Sequence, residues 1–256
     1  CACLVGSEMC IRDRLYGRGE VHPEGRGEGV YIKRSRNIEA EGIIVTQIPV
    51  GASDSVTVTN VKAISYYGWG DGMNVFASDN VTYDRVFCRN SDDCSTVYAT
   101  RKGFQGGCRN ILMKNSTLWA DVAHPIMIGL HGSATEIGID APSDTIQNIV
   151  YRNIDILDHQ ERQIDYQGCF AINCGDNNIV RDVVFDDIRV EDFRQGQLVN
   201  IRIFFNKKYC AAPGKSVSNV LFKDITYNGN GDNMSVICGY DGTHKAVSYT
   251  HLRAHE

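Results

Sequence analysis

The amino-acid sequence predicts an all-β fold, a right-handed single-stranded parallel β-helix. The main observation is a recurring segment: Asn, Asp or Ser, then alternating Val or Ile and polar residues, then Asn or Asp. It reads SVTVTNVKAI from Ser55, NVTYDRVFC from Asn80, NILMKNSTLW from Asn110, NIVYRNIDIL from Asn148, DVVFDDIRV from Asp182 and NVLFKDITY from Asn219. The starts lie 25, 30, 38, 34 and 37 residues apart. RNIEAEGIIV from Arg36 reads as an earlier, shorter copy. Period-two alternation marks a half-buried strand, because successive side chains point to opposite faces. Strands recurring every ~20–40 residues, with little helical signal between, mark a solenoid. A propeller needs four strands per blade, and the shorter intervals here hold two or three.

Each interval carries a second strand. In register these read MNVFAS from Met73, STVYAT from Ser95, IMIGLH from Ile126, FAINCG from Phe170, NIRIFF from Asn200 and MSVICG from Met234. The expected inward positions are Val75, Val97, Ile128, Ile172, Ile203 and Ile237, stacked as an apolar ladder along the solenoid axis. The Asn residues that open the turns are expected to stack as side-chain ladders satisfying corner backbone groups. Four longer stretches, Arg101–Gly107, Gly132–Thr145, Asp158–Gln167 and Asn206–Lys215, fall at turns. Turn insertions in a solenoid commonly build one rim of a groove.

At 256 residues the chain is one large domain or a piece of one. A hydrophobic fraction of 43% suffices for a sizeable core. The net charge is −5 with no long basic block, which argues against a nucleic-acid surface. Apolar runs fall far short of the ~18 residues that span a bilayer, so no membrane partner is expected. The opening CACLVGSEMCIRDR and the closing VSYTHLRAHE do not continue the repeat. Both resemble translated sequencing-adapter read-through, as found at the ends of metagenomic fragments; a genuine terminal cap is the other reading. Residues 1–14 and 247–256 are therefore set apart, and the β-helix is expected over 15–246 with native chain beyond both ends. Without Cys1, Cys3 and Cys10, seven cysteines remain, at spacings that match no zinc or redox motif. Most are expected to act as small buried apolar residues.

Immediately before three consecutive second strands stand GWGDG with Asp71, NSDDC with Asp92 and Asp93, and VAHP with His124. In the register above, Asp71, Asp93 and His124 occupy the same step of successive rungs, and Asp92 sits one residue earlier at the corner. Rungs lie ~4.8 Å apart, so these groups become neighbours. Carboxylates held this close repel one another, which raises at least one pKa. An acid/base pair for glycosidic cleavage needs such a group: one carboxylic acid protonates the leaving oxygen while ionised carboxylates activate water. One Asp alone at a turn is ordinary turn chemistry. Clustered carboxylates also suit a calcium ion.

At these residues the sequence resembles the clan of β-helix hydrolases that holds the polygalacturonases and dextranases, of pectin-lyase-like fold. Polygalacturonases carry Asn-Thr-Asp-Gly, Asp-Asp, Gly-His-Gly and Arg-Ile-Lys on successive rungs; GWGDG, NSDDC and AHP stand in the first three places here. The departures are Trp69 and Gly70 for the first Asn and Thr, Ala123 and Pro125 for the glycines around His124, and Ala171-Ile172-Asn173 for Arg-Ile-Lys. The missing basic pair would grip a galacturonate carboxylate, which weighs against a pectic substrate. NSTLWADVAHPIMIG and VNIRIF, with Arg202, are similar to the dextranase branch. The resemblance covers roughly Leu15 to Asp241. It implies an inverting glycoside hydrolase acting on an α-linked polysaccharide of polygalacturonan or dextran type, with room for a water between its carboxylates. By carry-over Asp92 is the general acid, and Asp71 and Asp93 hold and deprotonate the water. His124 either steadies the acid's protonation, binds a sugar hydroxyl or caps a corner. It further implies a secreted or periplasmic monomer that needs no cofactor or metal.

Substrate contacts are expected from Trp69, Asn173, Arg202 and Tyr166, with Tyr66 and Tyr67 as further stacking candidates and Trp119 packed at a corner. The insertion DHQERQIDYQ groups Asp158, His159, Glu161, Arg162 and Tyr166. It reads as a subsite wall or, for any one residue by default, a solvated loop. Two other functions stay open. A calcium-dependent lyase needs a basic residue near the carboxylates; none stands on the two Asp rungs, although Arg101 and Lys102 lie in the next turn. A non-catalytic carbohydrate-binding β-helix predicts no stacked acids.

Overall fold

The computed structural model describes residues 13–21, 27–230, 233–247 and 251–252. The chain winds as a right-handed parallel β-helix, and its strand pairings run parallel. One stack of eight short strands includes Met73–Phe76, Ser95–Tyr98, Ile126–Ile128, Phe170–Cys174 and Val199–Ile203. The other sheet holds the recurring segments, which lengthen into strands such as Cys108–Ala120, Thr145–Asp158 and Ile179–Val190.

The repeat's polar letters mark where the long strands bend. Asn110 and Asn115, Asn148 and Asn153, and Asp182 and Asp187 all have φ between 52° and 60°. Asn and Asp tolerate this left-handed backbone better than other residues with a Cβ, so they turn the chain at fixed places on each rung. The amides do form ladders, but with one another. Asn148 Nδ2 donates to Asn110 Oδ1 at 2.6 Å, and Asn110 Nδ2 to Asn80 Oδ1 at 2.7 Å. The expectation that they satisfy corner backbone groups is corrected accordingly.

Between bends, alternation places Ile146, Ile149, Tyr151, Ile154 and Ile156 in the core. Val75, Val97, Ile128 and Ile172 stack in register on the facing sheet, all buried. The next rank differs from the expectation: Ile201, not Ile203, pairs with Ile172, while Ile203 pairs with Cys174. Both point inward, because they differ by two residues. Ile237 pairs with Ile201 but is 45% exposed, so it does not extend the buried ladder. The cysteines from Cys88 to Cys210 are buried and free, as small apolar residues.

A second apolar cluster lies on the outer face of the eight-stranded stack. It comprises Phe76, Tyr98, Phe104, Met127, Leu130, Tyr166, Ala171, Phe204 and Cys210. The four insertions cover it and touch one another in sequence. Lys102 N donates to Glu136, Ala211 N to the Thr135 hydroxyl, and the Tyr209 hydroxyl to Gln163. This cover flanks the corner that carries Asp71, Asp92 and Asp93.

At the ends, Asp13–Tyr16 pairs with Arg36–Glu41, and Lys245–Val247 and His251–Leu252 pair with Ser216–Tyr227. The strand pairing thus takes in Asp13, Arg14, Val247, His251 and Leu252 from the segments set apart. Cys1, Cys3, Cys10 and most of those segments lie outside the described residues.

Candidate active site

The corner preceding the eight-stranded stack keeps rung register. Gly72 N donates to Asp93 O at 2.9 Å, and Cys94 N to His124 O at 2.8 Å. This ladder carries Asp71, Asp93 and His124 into alignment. Gly72 is required by close approach: a Cβ there would lie 2.5 Å from both Asn90 Oδ1 and the Cys94 carbonyl oxygen. Trp69 and Ala123 hold left-handed φ of 60° and 66° beside the site. Ala123 stands where the polygalacturonase pattern has glycine, and the chain keeps the conformation that favours glycine there.

Asp71, Asp92 and Asp93 converge, each offering an oxygen within 4.8 Å of the others. Asn74 Nδ2 donates to Asp71 at 2.8 Å, and the Thr96 hydroxyl fixes that amide by donating to its Oδ1 at 2.7 Å. Asp93 is buried and densely bonded. Its Oδ1 accepts from the His124 backbone N–H at 3.1 Å and lies 2.7 Å from His124 Nδ1, while its Oδ2 accepts from the Tyr98 hydroxyl at 3.1 Å. Asp92 is part-buried, and its Oδ1 accepts only the Asp93 backbone N–H, at 3.0 Å.

The electrostatics separate the three acids. Burial first, then repulsion from Asp93 and Asp71, raises Asp92 to about 8. Burial and Asp93 raise Asp71 to about 7, with Asn74, Lys102 and Arg101 pulling the other way. Burial alone would lower His124, but the charge and hydrogen bond of Asp93 and the Tyr166 carbonyl reverse that and raise it. At neutral pH burial and neighbouring charge thus favour a proton on Asp92, beside a hydrogen-bonded Asp93–His124 pair.

His124 is fully buried, so it meets no sugar hydroxyl and acts by holding Asp93. His159 packs against it with ring centroids 5.8 Å apart. Burial and the His124 charge lower His159 to about 3, and its Nε2 accepts the Gly168 N–H at 3.1 Å as a neutral ring.

A cleft of about 560 Å3 opens over Asp92. Trp69, 78% exposed, stands on its rim, and Tyr166, Tyr209, Glu161, Arg162 and Lys208 line the far side. The insertion Asp158–Gln167 is this wall. His159, Glu161, Tyr166 and Gln167 are buried in it, which corrects the expectation of a solvated loop for these residues. A separate cleft of about 650 Å3 near Tyr16, Gly42 and Lys62 contains none of the three acids.

The expected substrate contacts divide. Trp69 and Tyr166 line the Asp92 cleft. Asn173 is corrected: it is fully buried, and its Nδ2 donates to the Tyr166 carbonyl at 3.2 Å, so it supports the wall. Arg202 lines a neighbouring cleft with Asp165, to which it is paired at 3.0 Å. Tyr66 is 68% exposed and stacks with Tyr67. Trp119 packs under the Arg89 guanidinium at 4.2 Å. Sequence reasoning missed Asn74, Tyr98, Lys208 and Tyr209. A polar residue inside the apolar strand MNVF was the available signal for Asn74; the others depend on how the insertions fold.

No family model matches the chain. It is 23% identical over 235 residues to a probable endo-xylogalacturonan hydrolase A of Neosartorya fischeri, covering 84% of this chain and 53% of that protein. The chain thus spans about half the length of the curated relative it matches. Among solved structures it is similar to a family 28 exopolygalacturonase of Yersinia enterocolitica, with TM-score 0.58 and 16% identity over 83% of this chain and 36% of the other. That likeness supports the parallel β-helix. No helix among the described residues is long and apolar enough to cross a membrane.

Proposed function

We propose that this chain is the catalytic part of a secreted or periplasmic glycoside hydrolase that cleaves an α-linked, pectin-type polysaccharide. The observation that carries the reading is the convergence of Asp71, Asp92 and Asp93 at one cleft, with Asp93 held by His124 and Asp92 lining the opening. The Asp92 O–H gives its proton to the glycosidic oxygen as the bond from that oxygen to the anomeric carbon breaks. A water attacks the same carbon, and its proton passes to Asp71 or Asp93. Two hydrogen bonds of about 2.7–2.8 Å can bridge oxygens up to about 5 Å apart, so a water shared by these two carboxylates is compatible with their convergence. Neither the acid nor the base role calls for a metal ion.

The oxygens lie within 4.8 Å of one another. Inverting enzymes usually separate acid and base by about 6.5–9.5 Å and retaining ones by about 5–5.5 Å. The expected room for inversion is thus not evident, and inversion rests on the resemblance. A calcium ion takes about 6–8 oxygen ligands; of the three converging acids, Asp93 is already engaged by His124 and Tyr98.

The test is reducing-sugar release from xylogalacturonan, polygalacturonate, dextran and pullulan, with EDTA present, for the full-length parent and its Asp92→Asn variant. Turnover that the variant abolishes supports the reading, and the initial product anomer assigns the stereochemistry. Activity that requires calcium and yields an unsaturated uronate would establish a lyase. Binding without turnover would establish a carbohydrate-binding β-helix.

A further inference from the structure

The Asp92 cleft has an unexplained charge pattern. One wall presents the acid trio. Arg162 from one insertion and Lys208 from another are both exposed and line the same cavity as Asp92. Neither forms an ion pair among the described residues. Lys208 Nζ is held by neutral groups, donating to the Tyr209 hydroxyl at 2.7 Å and to Gln163 Oε1 at 3.4 Å. Tyr209 in turn stacks on Tyr166, with ring centroids 4.7 Å apart and planes at 8°. The ammonium is therefore positioned by neutral groups, with Glu161 and Asp92 acting on it through charge rather than direct contact.

A neutral glycan gives two unpaired cations nothing to do. Carboxylates would repel a uronate, but burial favours a proton on Asp92 and Asp93 is paired with His124, which leaves Asp71 and Glu161 for the cations to offset. An anionic sugar can therefore approach, provided that cations receive its carboxylate. Ala171 and Asn173 stand where the polygalacturonase pattern has its basic pair, and Asn173 is buried, so that rung cannot supply the cations.

We propose that Arg162 and Lys208 together bind the carboxylate of a uronate residue in the Asp92 cleft and set the specificity for an acidic over a neutral sugar chain. This rests on the hydrolase reading only for its catalytic consequence; the binding itself is separable. Guanidinium offers a bidentate fork to a carboxylate, and the ammonium adds a point charge.

The experiment is calorimetric titration of the full-length Asp92→Asn protein, with and without Arg162→Ala and Lys208→Ala, using trigalacturonate and its methyl ester. The acid form is expected to bind at least tenfold tighter than the ester. The double alanine variant is expected to lose that tenfold preference while binding the ester within twofold of its parent, and Lys208→Arg is expected to restore part of it. Equal affinity for acid and ester, equal loss of both in the variant, or no binding of either would overturn the inference. If the parent hydrolyses a galacturonan but the variant keeps its preference, the inference falls and the hydrolase reading stands. If the parent hydrolyses nothing yet shows the preference through these two residues, the inference stands and the hydrolase reading falls.

Discussion

His124 Nδ1 lies 2.7 Å from Asp93 Oδ1, and its Nε2 lies 2.6 Å from the Tyr166 carbonyl oxygen. Both ring nitrogens face acceptors, and only the imidazolium can donate to both. The ring therefore holds Asp93 and pins the wall insertion to the corner that carries the three acids. Removing it in His124→Ala leaves a buried carboxylate without its cation, a loss of about 3–5 kcal/mol by chemical denaturation. His124→Gln keeps one N–H for Asp93 and should lose less. In that variant the acidic limb of the activity profile should move to higher pH, because the donor pair and positive charge beside the carboxylates are reduced. An unmoved limb would mean that His124 only packs.

Stability should fall as pH rises. An unfolded Asp releases its proton near 3.8, whereas folded Asp71 and Asp92 keep theirs until about 7 and about 8. Across that window the native state binds more protons, so its advantage shrinks with rising pH. His124 acts in the same direction: its contribution is complete below its unfolded pKa and is lost as pH rises through its higher folded value. Asp92→Asn should therefore raise the Tm at pH 8 by about 2–4 °C for each kcal/mol recovered. It should change little at pH 4. Equal shifts at both pH values would contradict the burial of a protonated acid.

The activity profile should descend on the alkaline side near pH 8, where Asp92 loses its proton. Repulsion from Asp71 helps hold that proton, so Asp71→Asn should move the descending limb toward neutral pH. The pair titrates as a unit, so the whole profile must be fitted. A kcat/KM that stays flat to pH 10 would remove Asp92 as the acid. Asp92→Asn itself should reduce kcat by about 10²–10⁴-fold.

Trp69 stands on the cleft rim with 78% of its surface exposed. Trp69→Ala should leave the Tm unchanged and raise KM about tenfold, equivalent to about 1.4 kcal/mol of lost binding. A fall in kcat at constant KM would place the indole elsewhere in the reaction.

Gly72→Ala should damage fold and site together, because the new methyl meets the Cys94 carbonyl at 2.5 Å. Overpacking of this kind costs about 1–3 kcal/mol. Activity should drop further than stability, since the same backbone ladder aligns Asp71 with Asp93.

The repeat alone determined the solenoid, because period-two alternation and regularly spaced Asn and Asp each reflect a local constraint: which face a side chain takes, and which residue tolerates a left-handed turn. It also determined that Asp71, Asp92 and Asp93 meet, since parallel pairing brings equal steps of successive rungs together. Only the tertiary structure decided what surrounds them. The burial of His124 and Asn173, the wall carrying Arg162 and the placement of Lys208 opposite Asp92 come from four insertions packing on one another. Insertions have no period. Their conformation is set by contacts between segments far apart in the chain, such as Tyr209 on Tyr166, and such contacts leave no local signal.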